Sequence, residues 1–437
     1  MKIYIETLGC EKNTADSESA AGILSGSGHE ITDDLAEADA VMLNTCGFIN
    51  DAKEQSIDAI FDLAQRKRED AILIVSGCLI QRYGDQLFSQ IPEADIFLGV
   101  NDYPRLPEIL ARHEKGRREK YLSTYDKTYL ETGFRRRTEP LYSAPIKIAE
   151  GCSNACAYCV IPSIRGAYRS RKQEDILAEA EKLAAEGCRE LIVIAQDVSA
   201  YGIDLYGRLC LPELLKKLCR IDGIHWIRLM YCYEDKITDE LISVMASEEK
   251  ICSYIDIPIQ HASDRILAAM RRHSTKASIC STVKRLRDAI PDIHIRTTLI
   301  TGLPGETKED FDLLCDFVEN MRFDRLGVFA YSKEEGTPAA GMKGQVREQT
   351  KQKRRETIMA LQCNISLEKN QQLIGTTLEV LVEGQEEDGS YFGRSAYDAP
   401  EIDNSVLFES DRKLLPGDFV QVAVTDAFDY DLIGKAL

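Results

Sequence analysis

Between residue 139 and about residue 345, short apolar runs alternate with amphipathic helical stretches six times, and few folds accept that order. The runs are Ile146 to Ala149, Leu191 to Ala195, Trp226 to Met230, Tyr254 to Ile259, His294 to Leu299 and Arg325 to Phe329. Glu174 to Ala185 places Ile176, Leu177, Ala180, Leu183 and Ala184 on one helical face, and later stretches between the runs read in the same way. A chain that returns in the same direction after each helix builds a parallel sheet covered by helices. Six units make a partial (β/α)6 barrel, open on one side, whose site collects at the carboxyl ends of the strands. The polar residues at those ends are Gln196, Asp197, Gln260, His261, Thr298 and Gly302. Taken singly, each is as readable as a cap or turn residue, and His261 stands just before a helix expected from about Asp264.

The first of these strands runs into Glu150-Gly-Cys-Ser-Asn-Ala-Cys-Ala-Tyr-Cys159. Cys152, Cys156 and Cys159 form a C-x3-C-x2-C run, and thiolates this close in sequence can share one soft metal centre. A structural zinc is normally closed by four ligands, and a 4Fe–4S cluster ordinarily takes four cysteines. The nearest histidines, His113 and His225, are remote. Three ligands leave one iron free to bind a substrate-like group. On spacing alone, zinc or a structural cluster remains the alternative.

Residues 1 to 138 repeat one local theme. The runs Ile3 to Leu8, Ala40 to Leu43 and Ala71 to Val75 are each followed by a cysteine beside a glycine: Cys10, Cys46 and Cys78. Helical patterns such as Asp16 to Leu24 and Asp51 to Arg68 lie between them, so a second parallel α/β unit is expected. Ligands bind beyond the carboxyl ends of such strands. A single buried cysteine there would read as a small hydrophobe. Three at equivalent positions point to a shared metal site, again one ligand short. His113 to Ser143 is polar and aperiodic, and reads as a linker; its triplet Arg135-Arg136-Arg137 reads as part of a solvated connector.

From Arg347 to Leu373 a charged helix is expected, closing a central unit at about residue 370. Residues 371–437 then change to five short strands with Gly, Pro and Asp turns, which suggests a small antiparallel β-barrel of OB-like type. Between 370 and 437 there are 14 acidic and 4 basic residues, more than half of the whole chain's net charge of −18. Such a surface repels phosphates, so direct nucleic-acid binding is not expected and a basic protein partner is. The N-terminus shows no secretory pattern and no run is long enough to span a membrane. With 14 cysteines this composition predicts a cytoplasmic protein using its thiols for metal chemistry.

These residues together resemble the methylthiotransferase family of the radical SAM superfamily. The likeness runs end to end. Leu8-Gly-Cys-Glu-Lys-Asn13 with Asp16-Ser17-Glu18, Asn44-Thr-Cys-Gly-Phe48 and Ser76-Gly-Cys78 resemble its N-terminal domain. Gly151 to Cys159, Ile161-Pro-Ser-Ile-Arg-Gly166 and Arg169-Ser-Arg171 resemble its radical SAM signature, and residues 371–437 its TRAM barrel. The lysine of the first motif, Asp197 with Tyr201-Gly-Ile-Asp204, and Ala399-Pro-Glu-Ile-Asp403 are similar to the branch that modifies an aspartate of small-subunit ribosomal protein twelve. The alternative branch acts on an isopentenylated adenosine of tRNA. Tyr231-Cys-Tyr-Glu-Asp235 departs from the family pattern, where a proline more often follows the second tyrosine.

The resemblance implies two 4Fe–4S clusters and S-adenosyl-L-methionine. One cluster would sit on Cys152, Cys156 and Cys159 and generate a 5′-deoxyadenosyl radical from the chelated cofactor. An auxiliary cluster on Cys10, Cys46 and Cys78 would hold the sulfur to be inserted at the aspartate β-carbon and methylated. A radical is required because that C–H bond has no useful acidity at neutral pH. Tyr158 is expected near the adenine and the turn from Gly302 near the adenosyl group, with Gln196, Gln260 and Thr298 as further cofactor-binding candidates. An electron donor and a sulfur donor are implied partners.

Overall fold

The structure, a computed structural model, describes residues 1–125, 135–137 and 140–437. Residues 126–134 and 138–139 of the linker expected from His113 to Ser143 lie outside the described residues.

The N-terminal sheet comprises β1 (Lys2–Thr7), β2 (Glu30–Ile31), β3 (Ala40–Thr45), β4 (Ile72–Gly77), β5 (Ile96–Leu98) and β6 (Glu119–Tyr121). They pair in the order β2-β1-β3-β4-β5-β6, all parallel. Every residue of β3 is buried, as a central parallel strand with both faces covered requires, and its sequence is accordingly an almost unbroken apolar run. β6 corrects the reading of His113 onward as a plain connector: the segment first adds a sixth strand, pairing Phe97 with Lys120.

The central sheet contains β7 (Ser143–Lys147), β10 (Glu190–Ile194), β11 (Trp226–Leu229), β12 (Ile251–Asp256), β13 (His294–Thr301) and β14 (Arg325–Ala330). Its order is β14-β13-β12-β11-β10-β7, again all parallel, which is the expected partial barrel. A two-stranded antiparallel piece, β8 (Ala149–Glu150) with β9 (Arg169–Ser170), ties off the loop holding the central cysteines. The helices Lys276–Ala289 and Lys308–Met321 both start with capping boxes, Thr275 with Ser278 and Thr307 with Asp310. The latter stops at Arg322, in the left-handed region at φ 47°.

The helix Glu348–Gln371 leads to β15 (Thr377–Gln385), β16 (Tyr391–Ser395), β17 (Ser405–Glu409), β18 (Phe419–Ala427) and β19 (Asp431–Ala436). These close into a barrel in the order β15-β16-β17-β19-β18. The barrel is antiparallel except at one seam, where β17 and β19 run parallel. Among the described residues, no helix is long and apolar enough to cross a membrane.

Candidate active site

All six motif cysteines sit beyond the carboxyl ends of parallel strands. The chain leaves β7, passes through β8 and enters the loop at Gly151. Gly151 has φ 78°, and a Cβ there would lie 2.2 Å from the Ala167 carbonyl oxygen, so only glycine lets the two ends of the loop meet. The three sulfurs that follow are each engaged. Asn154 Nδ2 donates to Cys152 Sγ (3.5 Å), the Ile161 amide donates to Cys159 Sγ (3.4 Å), and Tyr233 Oη lies 2.7 Å from Cys156 Sγ. Burial pushes the Cys159 thiol up to about 12 and raises Cys152 as well. Such thiols ionise when a metal replaces the proton.

Cys10, Cys46 and Cys78 follow β1, β3 and β4, which are neighbours in the N-terminal sheet. Gly77 stands at φ 97°, where a Cβ would come within 2.3 Å of Asn44 Oδ1. The strand ends are laced together by side-chain amides: Asn13 Nδ2 donates to the carbonyls of Leu8 (2.7 Å) and Thr45 (3.2 Å), and Asn44 Nδ2 to that of Asn13 (2.9 Å). Ser56 Oγ accepts from the Cys46 amide (3.1 Å) and donates back to its carbonyl (3.0 Å). Burial lifts Cys78 to about 11, whereas Cys10 is exposed.

Among the described residues, no three Cys, His, Asp or Glu side chains converge as a single metal ion would need. Each set offers three thiols, the donor chemistry of a soft metal centre such as an iron–sulfur cluster.

Arg165 joins the two cysteine sets. It belongs to the Ile161–Arg165 helix beside the central loop and is only 3% exposed. Its Nη1 donates to Asp16 Oδ2 (2.7 Å) and Glu150 Oε1 (3.2 Å); its Nη2 donates to Asn13 Oδ1 (3.0 Å) and Cys78 Sγ (3.2 Å). Lys147 Nζ reaches Glu150 Oε2 at 2.7 Å and also bonds Asp16. Burial opposes ionisation of Glu150, but Arg165 and Lys147 outweigh it and hold the carboxyl well below the usual range. The result is a buried, charge-balanced bridge from the residue preceding the central motif to a sulfur of the N-terminal one.

The other expected residues divide. Gln196 is in this network, donating from Nε2 to Glu150 Oε1 (2.9 Å) and leaving its own buried Oε1 without a protein partner. Tyr158 is half-buried against Ile266, Met270, Leu303 and Tyr331, with Arg272 beside its hydroxyl. β12 ends earlier than expected, at Asp256, so Gln260 returns to the sheet only through an isolated bridge to Leu299, at φ 71°. β13 runs on to Thr301, which puts Thr298 inside the strand. The Gly302 amide donates to Glu306 Oε2 at 2.6 Å. His261 Nδ1 accepts from the Ser263 amide (2.9 Å) at the start of the Asp264–Ala269 helix, which favours its capping reading. Asp197 accepts from Asn154 Nδ2 (2.7 Å) and Lys236 Nζ (3.0 Å), steadying the cysteine loop.

Arg135 corrects the solvated-connector reading. Its side chain is 7% exposed and pairs with Glu18 (2.5 Å) and Glu179 (2.9 Å), holding the N-terminal helix to the central sheet. Sequence reasoning also missed Arg165, Tyr233 and Arg272. The local signals were Arg165's place in the Ile161-Pro-Ser-Ile-Arg-Gly166 run and Tyr233's in Tyr231-Cys-Tyr-Glu-Asp235.

Comparison with known proteins agrees with this architecture. Family models match in three consecutive pieces: "Uncharacterized protein family UPF0004" over residues 2–99, "Radical SAM superfamily" over 146–318 and "TRAM domain" over 374–437. A protein from Kitasatospora setae, the radical S-adenosylmethionine methyltransferase TsrM solved with cobalamin and a 4Fe–4S cluster, shares the fold. It matches with a TM-score of 0.58 at 15% identity, over 86% of this chain and 78% of that one. Two curated relatives match over their full lengths, both called ribosomal protein uS12 methylthiotransferase RimO. The one from Lachnoclostridium phytofermentans is 48% identical over 439 residues, with 100% of both chains covered. The one from Geobacter sulfurreducens is 49% identical over 443 residues, covering 100% of this chain and 98% of its own. At that identity over that length, the chain belongs to the ribosomal protein uS12 methylthiotransferase (RimO) family within the radical SAM superfamily.

Proposed function

We propose that this protein is a radical SAM methylthiotransferase that converts an aspartate of ribosomal protein uS12 to 3-methylthioaspartate. The observation that carries the reading is the end-to-end 48% identity to relatives of that name, with no part of the chain left over. Cys152, Cys156 and Cys159 are assigned to one 4Fe–4S cluster, and Cys10, Cys46 and Cys78 to a second. When bound, the clusters and S-adenosyl-L-methionine supply a radical strong enough for an unactivated C–H bond, together with the sulfur to be inserted.

The chain's own residues hold and insulate these groups. Asn154, Tyr233 and the Ile161 amide donate to the central thiolates, which orients them and offsets their charge. Arg165 does the same for Cys78 and, through Glu150 and Asp16, fixes the distance between the two sites. The reading requires an electron donor and a sulfur donor from outside the chain. The domains are assigned as 1–138, 139–370 and 371–437.

The barrel is assigned to docking the basic ribosomal protein. A groove of about 810 Å³ on it is lined by Glu386, Glu387, Asp388 and Glu409 around Leu407, Phe408 and Ile433. Carboxylates around an apolar floor favour a lysine- or arginine-bearing segment and disfavour RNA phosphates. Nothing in the site favours the tRNA alternative. The test is to incubate the reconstituted enzyme with uS12 and with tRNA, then analyse peptides and nucleosides by mass spectrometry. A gain of one methylthio group on a uS12 aspartate is expected; modification of tRNA instead overturns the assignment.

A further inference from the structure

Lys12 is a buried cation without an ion-pair partner. It lies in the first turn of the Glu11–Gly26 helix, two residues after Cys10, and is 8% exposed. Its ammonium sits 3.2 Å from the ring centroid of Tyr231, beyond the carboxyl end of β11. Among the described residues no carboxylate reaches it and it donates no hydrogen bond. A desolvated ammonium held only by an aromatic face is incompletely compensated. Nearby acids make no ion pair with it: Asp256 is taken by Arg296 (3.2 Å) and the Tyr231 amide (3.1 Å), and the Glu11 carboxyl feels the charge of Lys12 without bonding it, its Oε2 having no hydrogen-bond partner.

Two further features mark the place as built for an anion. Cys10 caps this 16-residue helix without a side-chain bond; its carbonyl takes the Asn13 amide (2.7 Å), and the positive end of the helix dipole lies at the same end as Lys12. Tyr231, whose ring the ammonium covers, is held in the left-handed region at φ 57°, an uncommon conformation for a bulky residue.

We infer that the Lys12 ammonium, seated on the face of Tyr231, binds the side-chain carboxylate of the substrate aspartate and selects it. The inference rests on the function proposed above and adds the substrate contact. In aspartate the β-carbon is bonded directly to the carboxylate carbon. A carboxylate anchored on Lys12 therefore holds the reacting carbon two bonds from the anchored oxygens, and Lys12 follows Cys10, where the auxiliary sulfur is assigned, by two residues. An asparagine at the same position offers a neutral amide that cannot pair with the ammonium, so the site discriminates by charge as well as by reach.

The experiment uses the full-length holoenzyme and uS12 peptides carrying either the target aspartate or asparagine in its place. Anisotropy measures binding of both, and mass spectrometry measures turnover of the aspartate peptide. Wild type is expected to prefer the aspartate peptide by about 10- to 100-fold, the range of a charge-assisted contact. Lys12→Met should erase that preference and raise KM, while Lys12→Arg retains most of it. Iron content and the spectra of both clusters show whether each variant is correctly assembled. The inference is overturned if Lys12→Met weakens both peptides equally, or if the preference survives. It is also overturned if the variant loses iron, which would make Lys12 a counter-charge to the cluster, or if it fails to cleave S-adenosyl-L-methionine without peptide, which would assign the cation to the cofactor. A wild type that modifies tRNA and not uS12 removes the function and this inference together. A wild type that modifies uS12 indifferently to Lys12 removes only the inference.

Discussion

Replacing Glu190 with Gln should loosen the barrel from the central sheet. Glu190 opens β10 and is fully buried, with two guanidiniums on it that are also buried. Arg228 Nε donates to Oε1 (2.9 Å), Arg394 of the barrel donates to Oε1 (3.0 Å) and to Oε2, and Ser143 Oγ donates to Oε2 (2.9 Å). The amide would leave two buried cations facing one remaining carboxylate, Glu383 on Arg394 at 2.7 Å. Removing one member of a buried ion pair costs about 3–5 kcal/mol. A second route gives a similar figure. Burial opposes ionisation of Glu190, but Arg394 and Arg228 overcome it and bring the carboxyl from 4.5 to about 2. At 1.36 kcal/mol per pH unit that difference is about 3 kcal/mol. Because the folded value is the lower one, this stability is complete above pH 4.5 and fades as pH falls towards 2. The protein carries its own reporter, since its single tryptophan, Trp226, packs edge-on against Phe419 of the barrel with ring centroids 4.8 Å apart. Urea titrations of cluster-free protein, followed by Trp226 fluorescence, should show Glu190→Gln releasing the barrel about 3–5 kcal/mol more easily at neutral pH. The gap should narrow as pH falls from 4.5 towards 2, as wild type loses what the variant never had. Equal midpoints at pH 7, or parallel pH profiles, would refute the reasoning.

Three further outcomes are expected. Changing Cys152, Cys156 and Cys159 together to Ala should leave about four irons per chain after anaerobic reconstitution, against about eight in wild type; loss of all iron would contradict two sites. Changing Cys10, Cys46 and Cys78 to Ala should preserve formation of 5′-deoxyadenosine under reducing conditions while abolishing methylthiolation, and silence from a variant whose central cluster is intact would contradict that division. Changing Glu386, Glu387 and Asp388 to Lys should slow association with uS12, most at low salt, because exposed charges act over only about 10 Å at 0.1 M. Wild-type association across a salt series would make that acidic groove a solubility feature.

The strand-end cysteines were legible because the features that mark them are local. Each follows an apolar run by one to three residues, and a parallel sheet necessarily gathers such positions on one edge. The barrel's five strands were legible for the same reason, although its parallel seam between β17 and β19 was not, since pairing partners are not encoded in a strand's own pattern. Arg135 and Arg165 mark the other limit. Arg165 bonds Asp16 across 149 positions and Cys78 across 87, and Arg135 bonds Glu18 across 117. Nothing within a few residues of Arg135 distinguishes it from a solvated one, and the Ile161-Pro-Ser-Ile-Arg-Gly166 run marks Arg165 without naming its partners. Their burial is a property of how the N-terminal helix Glu11–Gly26 lies on the central sheet.

That same helix explains how two cysteine sets in separate sheets can serve one substrate. It carries Cys10 at its start, Lys12 against Tyr231, Asn13 and Asp16 against Arg165, and Glu18 against Arg135. Hinging it away would strand Arg165 and Arg135, both almost fully buried, without their carboxylates. The cost of unpairing buried charges makes such motion far less favourable than bending at an exposed loop. The barrel is pinned to the same face of the central sheet, where Ala15 of the helix and Leu381 and Ala399 of the barrel share one buried cluster, by Glu190, and by Arg325 on Asp398. With both neighbours fixed, the spacing of the cysteine sets is built into the folded chain, and the substrate segment must adapt to it. An extended or unstructured loop bearing the aspartate meets that demand better than a rigid helix. The conformational search then falls on the ribosomal protein, and the reacting carbon is delivered to a site that does not have to rearrange.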